Sequence, residues 1–320
     1  MVVRESAWSF RSEKPLTQWY GHVHLLPDRV LGQWACLARE SGERLWQRAI
    51  PRANTVCAVD SHIIVASETR SDGPWTLDFG CYGISLDDGR LLWTSHRSGI
   101  WGRLTRLLDF VPGFTNELRD TPHHVTGGRV YCDSGRVLDV TTGRTAGKVS
   151  RQEVASFERP ASPAERLYRV GKDESVDTES GVSLARCPDG WGVFGHRAGR
   201  EVWRLQADDQ GAVLGRHFRA NYHAYRLAEP YLYLVLSDEP AFKPHPTKVA
   251  YVEPNPTTWH LVTLDVATGS VVQDLALGAE PMEACRIEDV DERALLIGQS
   301  GPRRNNHGDT YEVSYFPRRP

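Results

Sequence analysis

Short apolar segments of strand length recur along the chain, each leading into a polar turn that ends in glycine and then into a second apolar segment. In Cys36-Leu37-Ala38-Arg39-Glu40-Ser41-Gly42-Glu43-Arg44-Leu45-Trp46 the second segment closes on tryptophan, and Ile84-Ser85-Leu86-Asp87-Asp88-Gly89-Arg90-Leu91-Leu92-Trp93 repeats the pattern. Weaker copies follow at Leu138-Asp139-Val140-Thr141-Thr142-Gly143, at Leu205 to Leu214 around Gly211, and at Leu264-Asp265-Val266-Ala267-Thr268-Gly269. Strand, glycine turn and strand at repeated intervals predict a radial all-β repeat. The intervals between Gly42, Gly89, Gly143, Gly211 and Gly269 each hold one four-stranded unit of about 40–50 residues plus an insertion. The expected fold is therefore a six-bladed β-propeller of four-stranded antiparallel blades. Five blades are read directly. The sixth is assembled from 292–298, 309–316 and the amino-terminal strand around Trp8, which closes the ring and removes a sheet edge. Seven blades is the alternative, if 151–186 contains a degenerate unit.

Antiparallel strand order places the links between strands 2 and 3, and between successive blades, on one face. The long insertions, near 68–80, 98–119, 150–183 and 237–257, all fall in that class, so they are expected to decorate a single face of one domain spanning 1–320. Trp101, Leu104, Leu107, Leu108 and Val111 keep helical spacing and predict a short amphipathic helix there. Pro240, Pro244, Pro246, Pro254 and Pro256 stiffen the last insertion, which carries Phe242, into an extended arm. Trp101, Leu104, Leu108 and Phe242 are accordingly the expected partner-binding residues, because long loops on a rigid scaffold are where function concentrates.

The composition narrows the partner. With 320 residues, 40% of them hydrophobic, and ten tryptophans, the chain can bury a core large enough for one propeller. The net charge of −3 is spread over both signs without a long block of either, so nucleic acid is not an expected partner. Charge appears within the first residues and no run approaches the roughly 20 apolar residues of a membrane span, which predicts a cytoplasmic, monomeric domain with no membrane partner. The six cysteines form no Cys-x-x-Cys pair and are expected as buried free thiols.

Candidate chemistry gathers where the innermost strands begin. Aligning those segments brings together His22 and His24, Asn54, Asp120 with His123 and His124, Asn221 with Tyr222 and His223, and Glu280 with Glu283; five of the twelve histidines fall in these windows. Imidazoles converging on an axis can hold a transition metal, with His22, His24, His123 and His223 as ligands. They can also act as acid and base groups, with His123, His124, His223, Tyr222, Asp120 and Glu283 as the candidate catalytic set. A polar, water-lined channel is the competing reading of the same residues. Gly143-Arg-Thr-Ala-Gly147-Lys148 falls one residue short of a phosphate loop, and no Gly-x-Ser-x-Gly elbow occurs.

The motif at Leu138 to Gly143 and Leu264 to Gly269, with the full copies ending at Trp46 and Trp93, resembles the PQQ-like β-propeller repeat, Leu-Asp-x-x-Thr-Gly-x-x-Leu-Trp. The resemblance covers most of the chain and implies an architecture. The quinone-dependent dehydrogenases of that family are larger, exported, eight-bladed proteins with an adjacent cysteine pair, so PQQ itself is not expected as a cofactor and no catalytic residue is carried over. Many PQQ-like propellers serve as protein-binding platforms. The expected function is a cytoplasmic interaction scaffold that engages another protein through the decorated face. The alternative is a small-molecule enzyme, a metal-dependent lyase, isomerase or oxygenase, with its histidines at the channel mouth.

Overall fold

The structure is a computed structural model, and it describes residues 5–13, 16, 23–32, 35–48, 55–72, 75–95, 122–157, 175–186, 192–209, 211–218, 224–240, 242–244, 252–278, 282, 284–299 and 310–318. These residues are nearly all β, arranged as antiparallel sheets of four or more strands plus one separate two-stranded hairpin, with a single short helix, Arg151–Ser156. None of the described helices is long and apolar enough to cross a membrane. The chain divides into two compact units: Met1–Lys14 with Val23–Leu25 and Ala161–Pro320, and Pro15–His22 with Leu26–Pro160.

In the first unit, one sheet runs Ser175–Asp177, Ser183–Arg186, Gly192–Arg197, Arg200–Gln206. The next contains Tyr225–Ala228, Tyr231–Ser237, Trp259–Asp265 and Val271–Ala276. The period of two decides its packing. Leu232, Leu234, Leu236, Val262 and Leu264 face the first sheet, where they join Leu184, Val193, Trp203 and Leu205. Tyr233, Val235, Trp259 and Leu261 face the other way, against Cys285, Ile287, Leu295, Ile297 and Phe316 of the last sheet. A sheet buried on both faces explains the uninterrupted apolar run in Tyr231–Ser237, each large side chain there contributing about 1.5–3 kcal/mol.

That last sheet is formed by Cys285–Val290, Ala294–Gln299 and Glu312–Pro317, and its outer strand is the amino-terminal Trp8–Arg11. Trp8 pairs with Tyr315 and stacks on it, ring centroids 5.2 Å apart, and the Ser9 and Ser314 hydroxyls bond at 2.7 Å. Completion of the carboxy-terminal sheet by the amino-terminal strand follows the sequence expectation.

The second unit repeats this logic. Arg29–Leu31, Ala35–Ala38 and Arg44–Gln47 belong to one sheet, Thr55–Asp60, Ile63–Asp72, Trp75–Ser85 and Leu91–Thr94 form the next, and Pro122–Thr126, Arg129–Cys132, Arg136–Asp139 and Thr145–Lys148 the third. The central sheet again serves two cores: Ile64 and Ala66 pack with Leu31, Cys36 and Trp46, while Ile63 and Val65 pack with Trp93, Val130, Cys132 and Leu138.

The glycine turns share one geometry. The N–H groups of Gly42, Gly89, Gly143 and Gly269 donate to the carbonyls of Ala38, Ser85, Asp139 and Asp265 at 2.9, 2.9, 2.8 and 2.7 Å, and all four glycines are left-handed. Tryptophan then joins three of the sheets to the sheet that follows. The indole N–H groups of Trp46, Trp93 and Trp203 donate to the carbonyls of Leu86, Val140 and Val266, each at 2.8 Å, with the rings lying on Gly89, Gly143 and Gly269.

Trp203 corrects the reading of the fourth repeat. Its turn glycine is Gly199, in Gly199-Arg200-Glu201-Val202-Trp203, which has the glycine-to-tryptophan spacing of the first two copies. Gly211 instead closes a turn on Asp208 after that sheet has ended. The stretch 151–186 supplies the helix and the first two strands of the sheet that holds Trp203, with no further sheet among its described residues. The insertion at 68–80 is not a loop: Ile63–Asp72 and Trp75–Ser85 pair as far as Asp72 with Trp75, a long hairpin. The arm at 237–257 folds into a hairpin of Phe242–Pro244 and Val252–Pro254. The expected helix at 101–111 lies outside the described residues.

Candidate functional site

Of the residues singled out from sequence, His24, His123 and His124 are described, and Phe242 is placed by its backbone. His22, Asn54, Trp101, Leu104, Leu108, Asp120, Asn221, Tyr222, His223, Glu280 and Glu283 lie outside the described residues.

In the first unit, His24 stands in the short strand His24–Leu25, and what it meets is a pair of carboxylates that the sequence reading passed over. Strand Cys285–Val290 bulges: Ile287 pairs with Ile297, yet Asp289 pairs with Leu296, leaving Glu288 as the extra residue. A bulge re-aims the side chains beside it. Asp289 takes the place opposite Leu296, and Glu288 lies against Gly298, where a Cβ would come within 2.2 Å of its Oε1. Two consecutive carboxylates therefore occupy one face of the strand.

There they clamp the segment 23–25. Val23 N–H donates to Glu288 Oε2 at 3.2 Å and Leu25 N–H to Asp289 Oδ2 at 2.8 Å, so alternate amides of an extended segment are satisfied by side chains in place of a neighbouring strand. The other oxygen of Glu288 accepts from Arg286 Nε at 2.6 Å and from the Thr310 hydroxyl, and its side chain is fully buried. Val290 N–H donates to Asp289 Oδ1 at 2.9 Å, while the buried Arg226 adds positive charge from the neighbouring sheet.

Burial pushes the Asp289 carboxyl above its ordinary range, against the pull of the Leu25 amide, His24 and Arg226. Burial likewise lowers the His24 imidazole, against the opposing influence of Asp289 and Glu288. Both shifts favour the uncharged forms. The acceptor atoms of this cluster are committed to holding 23–25, Arg286 and Thr310, which is a positioning task.

A second charged group lies at the root of the hairpin arm. Arg216 Nε donates to Asp238 Oδ1 at 3.2 Å and Nη1 to Asp274, while His260 Nδ1 meets Asp274 Oδ1 at 2.9 Å. Partial burial raises Asp274, but the bonds from Arg216 and His260 outweigh it and hold the carboxyl below its usual range. Here too each charge faces its opposite.

The second unit holds His123 and His124, whose side chains take different neighbours. His123 is the extra residue of a bulge between Pro122 and His124, and its Nδ1 lies 3.0 Å from Asp133 Oδ1. His124 stacks on Phe157 at 5.1 Å, with Tyr131 tilted against the same ring at 4.7 Å. His124 is thereby an aromatic packing residue fastening the end of Arg151–Ser156, and His123 is hydrogen-bonded to Asp133. Among the described residues, no group of three or more His, Cys, Asp or Glu side chains is placed to hold a metal ion. The four described cysteines that face the interior, Cys36, Cys81, Cys132 and Cys285, are free and buried. Burial pushes the Cys36 thiol up to about 11 and Cys285 further in the same direction, so both are inert at neutral pH.

The hairpin arm is fastened where it leaves and rejoins its sheet. Asp238 N–H donates to Thr258 O at 3.0 Å, Glu239 N–H to Thr257 Oγ1 at 3.0 Å, and Asn255 Nδ2 to Pro240 O at 2.8 Å. Thr257 in turn bridges to Met282. Among the described residues, its two strands pair with each other and with no other sheet.

No protein-family profile matches the chain, and no curated protein matches it. Similar solved structures include a member of the DUF4221 family from Bacteroides vulgatus, at 10% identity and a TM-score of 0.35, covering 99% of this chain and 96% of that one. Another is the CNH domain of AfRom2, at 8% identity and a TM-score of 0.33, covering 98% and 96%. Likenesses this distant establish neither a fold nor a function for this chain.

Proposed function

We propose that the protein is a cytoplasmic interaction scaffold of the PQQ-like propeller type, its sheets serving as six blades, and that it engages another protein through the face bearing the hairpin arm. The observation that carries this reading is the arm itself. Residues 238–258 leave a sheet core, fold into their own two-stranded hairpin and are fastened at the root by three hydrogen bonds. Unpaired strand edges on a fastened hairpin are a ready template for adding a strand from a partner. The described charged clusters support it from the other side, since Glu288, Asp289, Asp274 and Arg216 are spent on internal contacts. The six-blade reading is supported by the outer amino-terminal strand and by the tryptophan that joins successive sheets.

The test replaces 241–253 with two glycines, leaving the root contacts in place, and compares cross-linked partners of the full chain and the variant, each confirmed with purified components. The scaffold reading expects a protein that binds the full chain and loses at least tenfold in affinity for the variant, while thermal unfolding of the two is the same. A confirmed partner that binds both equally refutes recognition by the arm.

A further inference from the structure

The charged group at the root of the hairpin arm is built around one histidine. The side chain of His260, at the start of Trp259–Asp265, is 13% exposed, and both of its ring nitrogens face a carboxylate. Nδ1 lies 2.9 Å from Asp274 Oδ1 on the neighbouring strand Val271–Ala276, and Nε2 lies 3.2 Å from Asp238 Oδ1. Asp238 is the first residue past Tyr231–Ser237, where the chain leaves the sheet for the arm. Nε2 is buried without a hydrogen-bond partner among the described residues, because the Asp238 oxygen is close enough to attract a charge but lies off the line of a hydrogen bond.

This placement asks for a second proton on the ring. A neutral imidazole has one N–H and one lone pair. With the N–H given to Asp274, the Nε2 lone pair is buried 3.2 Å from a carboxylate oxygen, acceptor against acceptor; with the N–H on Nε2, the same conflict arises at Nδ1. The imidazolium alone presents a donor to both sides. The charges agree. The charged groups gathered here are Arg216 from Arg216–His217, Asp238 from the arm and Asp274 from Val271–Ala276, and Arg216 bonds to both carboxylates. Two carboxylates against one guanidinium leave one negative charge, which a protonated His260 cancels. Partial burial raises Asp274, but the bonds from Arg216 and His260 outweigh it and hold the carboxyl below its usual range, so it is ionised at neutral pH.

We propose that His260 is a proton-operated latch on the arm: as the imidazolium it ties Asp238, the first residue of the arm, to Asp274 in the sheet, and on losing its proton it leaves Arg216 alone to hold that tie. The latch concerns the root alone and holds whatever the arm binds. The experiment follows hydrogen exchange at the Asp238 and Glu239 amides, which donate to Thr258 O and Thr257 Oγ1, in the full chain and in His260→Gln. The two conditions are about pH 5.5 and about pH 7.5, spanning the range in which histidine changes charge, with rates corrected for the intrinsic pH dependence of exchange. Protection in the native chain is expected to be about three- to tenfold higher at the lower pH, and His260→Gln is expected to lose that difference. Any pH effect from the Asp289 cluster is common to both chains and drops out of the comparison. Should His260→Gln not fold, Asp238→Asn, which removes the carboxylate facing Nε2, takes its place with the same expectation. Equal corrected protection of the native chain at the two pH values overturns the latch, and so does a difference that survives in the folded variant. No partner enters the measurement, so its failure is separate from a failure of the scaffold reading.

Discussion

Gly143 and Gly128 offer a matched pair for measuring what the tryptophan-to-turn contact contributes. They lie in the same sheet region of the second unit and both are left-handed, at φ 65° and 73°. Alanine at either position therefore incurs the same backbone cost, about 1–2 kcal/mol. Their surroundings differ. A Cβ at Gly128 meets nothing within 4 Å, whereas one at Gly143 falls 2.5 Å from Trp93 Cδ2 and 2.6 Å from Cε3. The indole has no room to retreat: its N–H is bonded to Val140 O at 2.8 Å, and its far edge lies over Gly83, where a Cβ would come within 2.1 Å of the ring. Forcing a methyl into such packing adds about 1–3 kcal/mol. Gly143→Ala should thus cost about 2–5 kcal/mol in total and Gly128→Ala about 1–2. Urea unfolding at 25 °C, followed by circular dichroism and by tryptophan fluorescence, gives both values if the variants share one m-value. Costs that agree within about 0.5 kcal/mol would show that the ring yields to the methyl and that the tryptophan contact is loose, refuting the tight junction between these two sheets.

Two further outcomes follow from the first unit. Asp289 has its folded-state pKa raised by burial, so folding takes up a proton between the ordinary carboxylate value of about 3.9 and the folded value, and this group's contribution to stability falls as pH climbs through that window. Asp289→Asn, which keeps an acceptor for the Leu25 amide, is expected to raise stability at pH 7 and to match the native chain near pH 3; urea midpoints across pH check it, and a variant that is weaker at pH 7 counts against the burial argument. Deleting residues 1–12 removes the strand that covers Glu312–Pro317, with its Trp8 stack and Ser9 bond; the exposed edge should pair between molecules, and light scattering after size exclusion should show soluble oligomers where the full chain shows fewer.

Much of the β architecture was legible because it is written in local chemistry. A left-handed turn selects glycine, and the strand after it lays a ring on the turn glycine of the next sheet, which selects tryptophan at a fixed distance after the turn, so Gly42 with Trp46 and Gly89 with Trp93 announce themselves. The terminal strand was legible for a related reason: Trp8 and the apolar segment at 312–317 are each half of a pair. The fourth repeat was misplaced at Gly211 because the segment before Gly199 lacks the apolar-to-acidic lead-in of the other copies, although Gly199 and Trp203 keep the spacing. The carboxylate clamp was missed for a different reason. A strand of strict period two puts Glu288 and Asp289 on opposite faces, one inside and one outside, and nothing in Arg286-Ile-Glu-Asp-Val announces otherwise. The bulge that puts both inside is a property of pairing: it appears when Asp289 takes the place opposite Leu296. Comparable extra residues, Cys57 and His123, occur in the first strands of two sheets in the other unit. Glutamate, cysteine and histidine have no shared side-chain chemistry that would mark such a position, so the bulge is set by the sheet around the residue. In these three sheets one residue inserted in the first strand reverses the face of every side chain after it, so reading candidate sites there from strand periodicity fails.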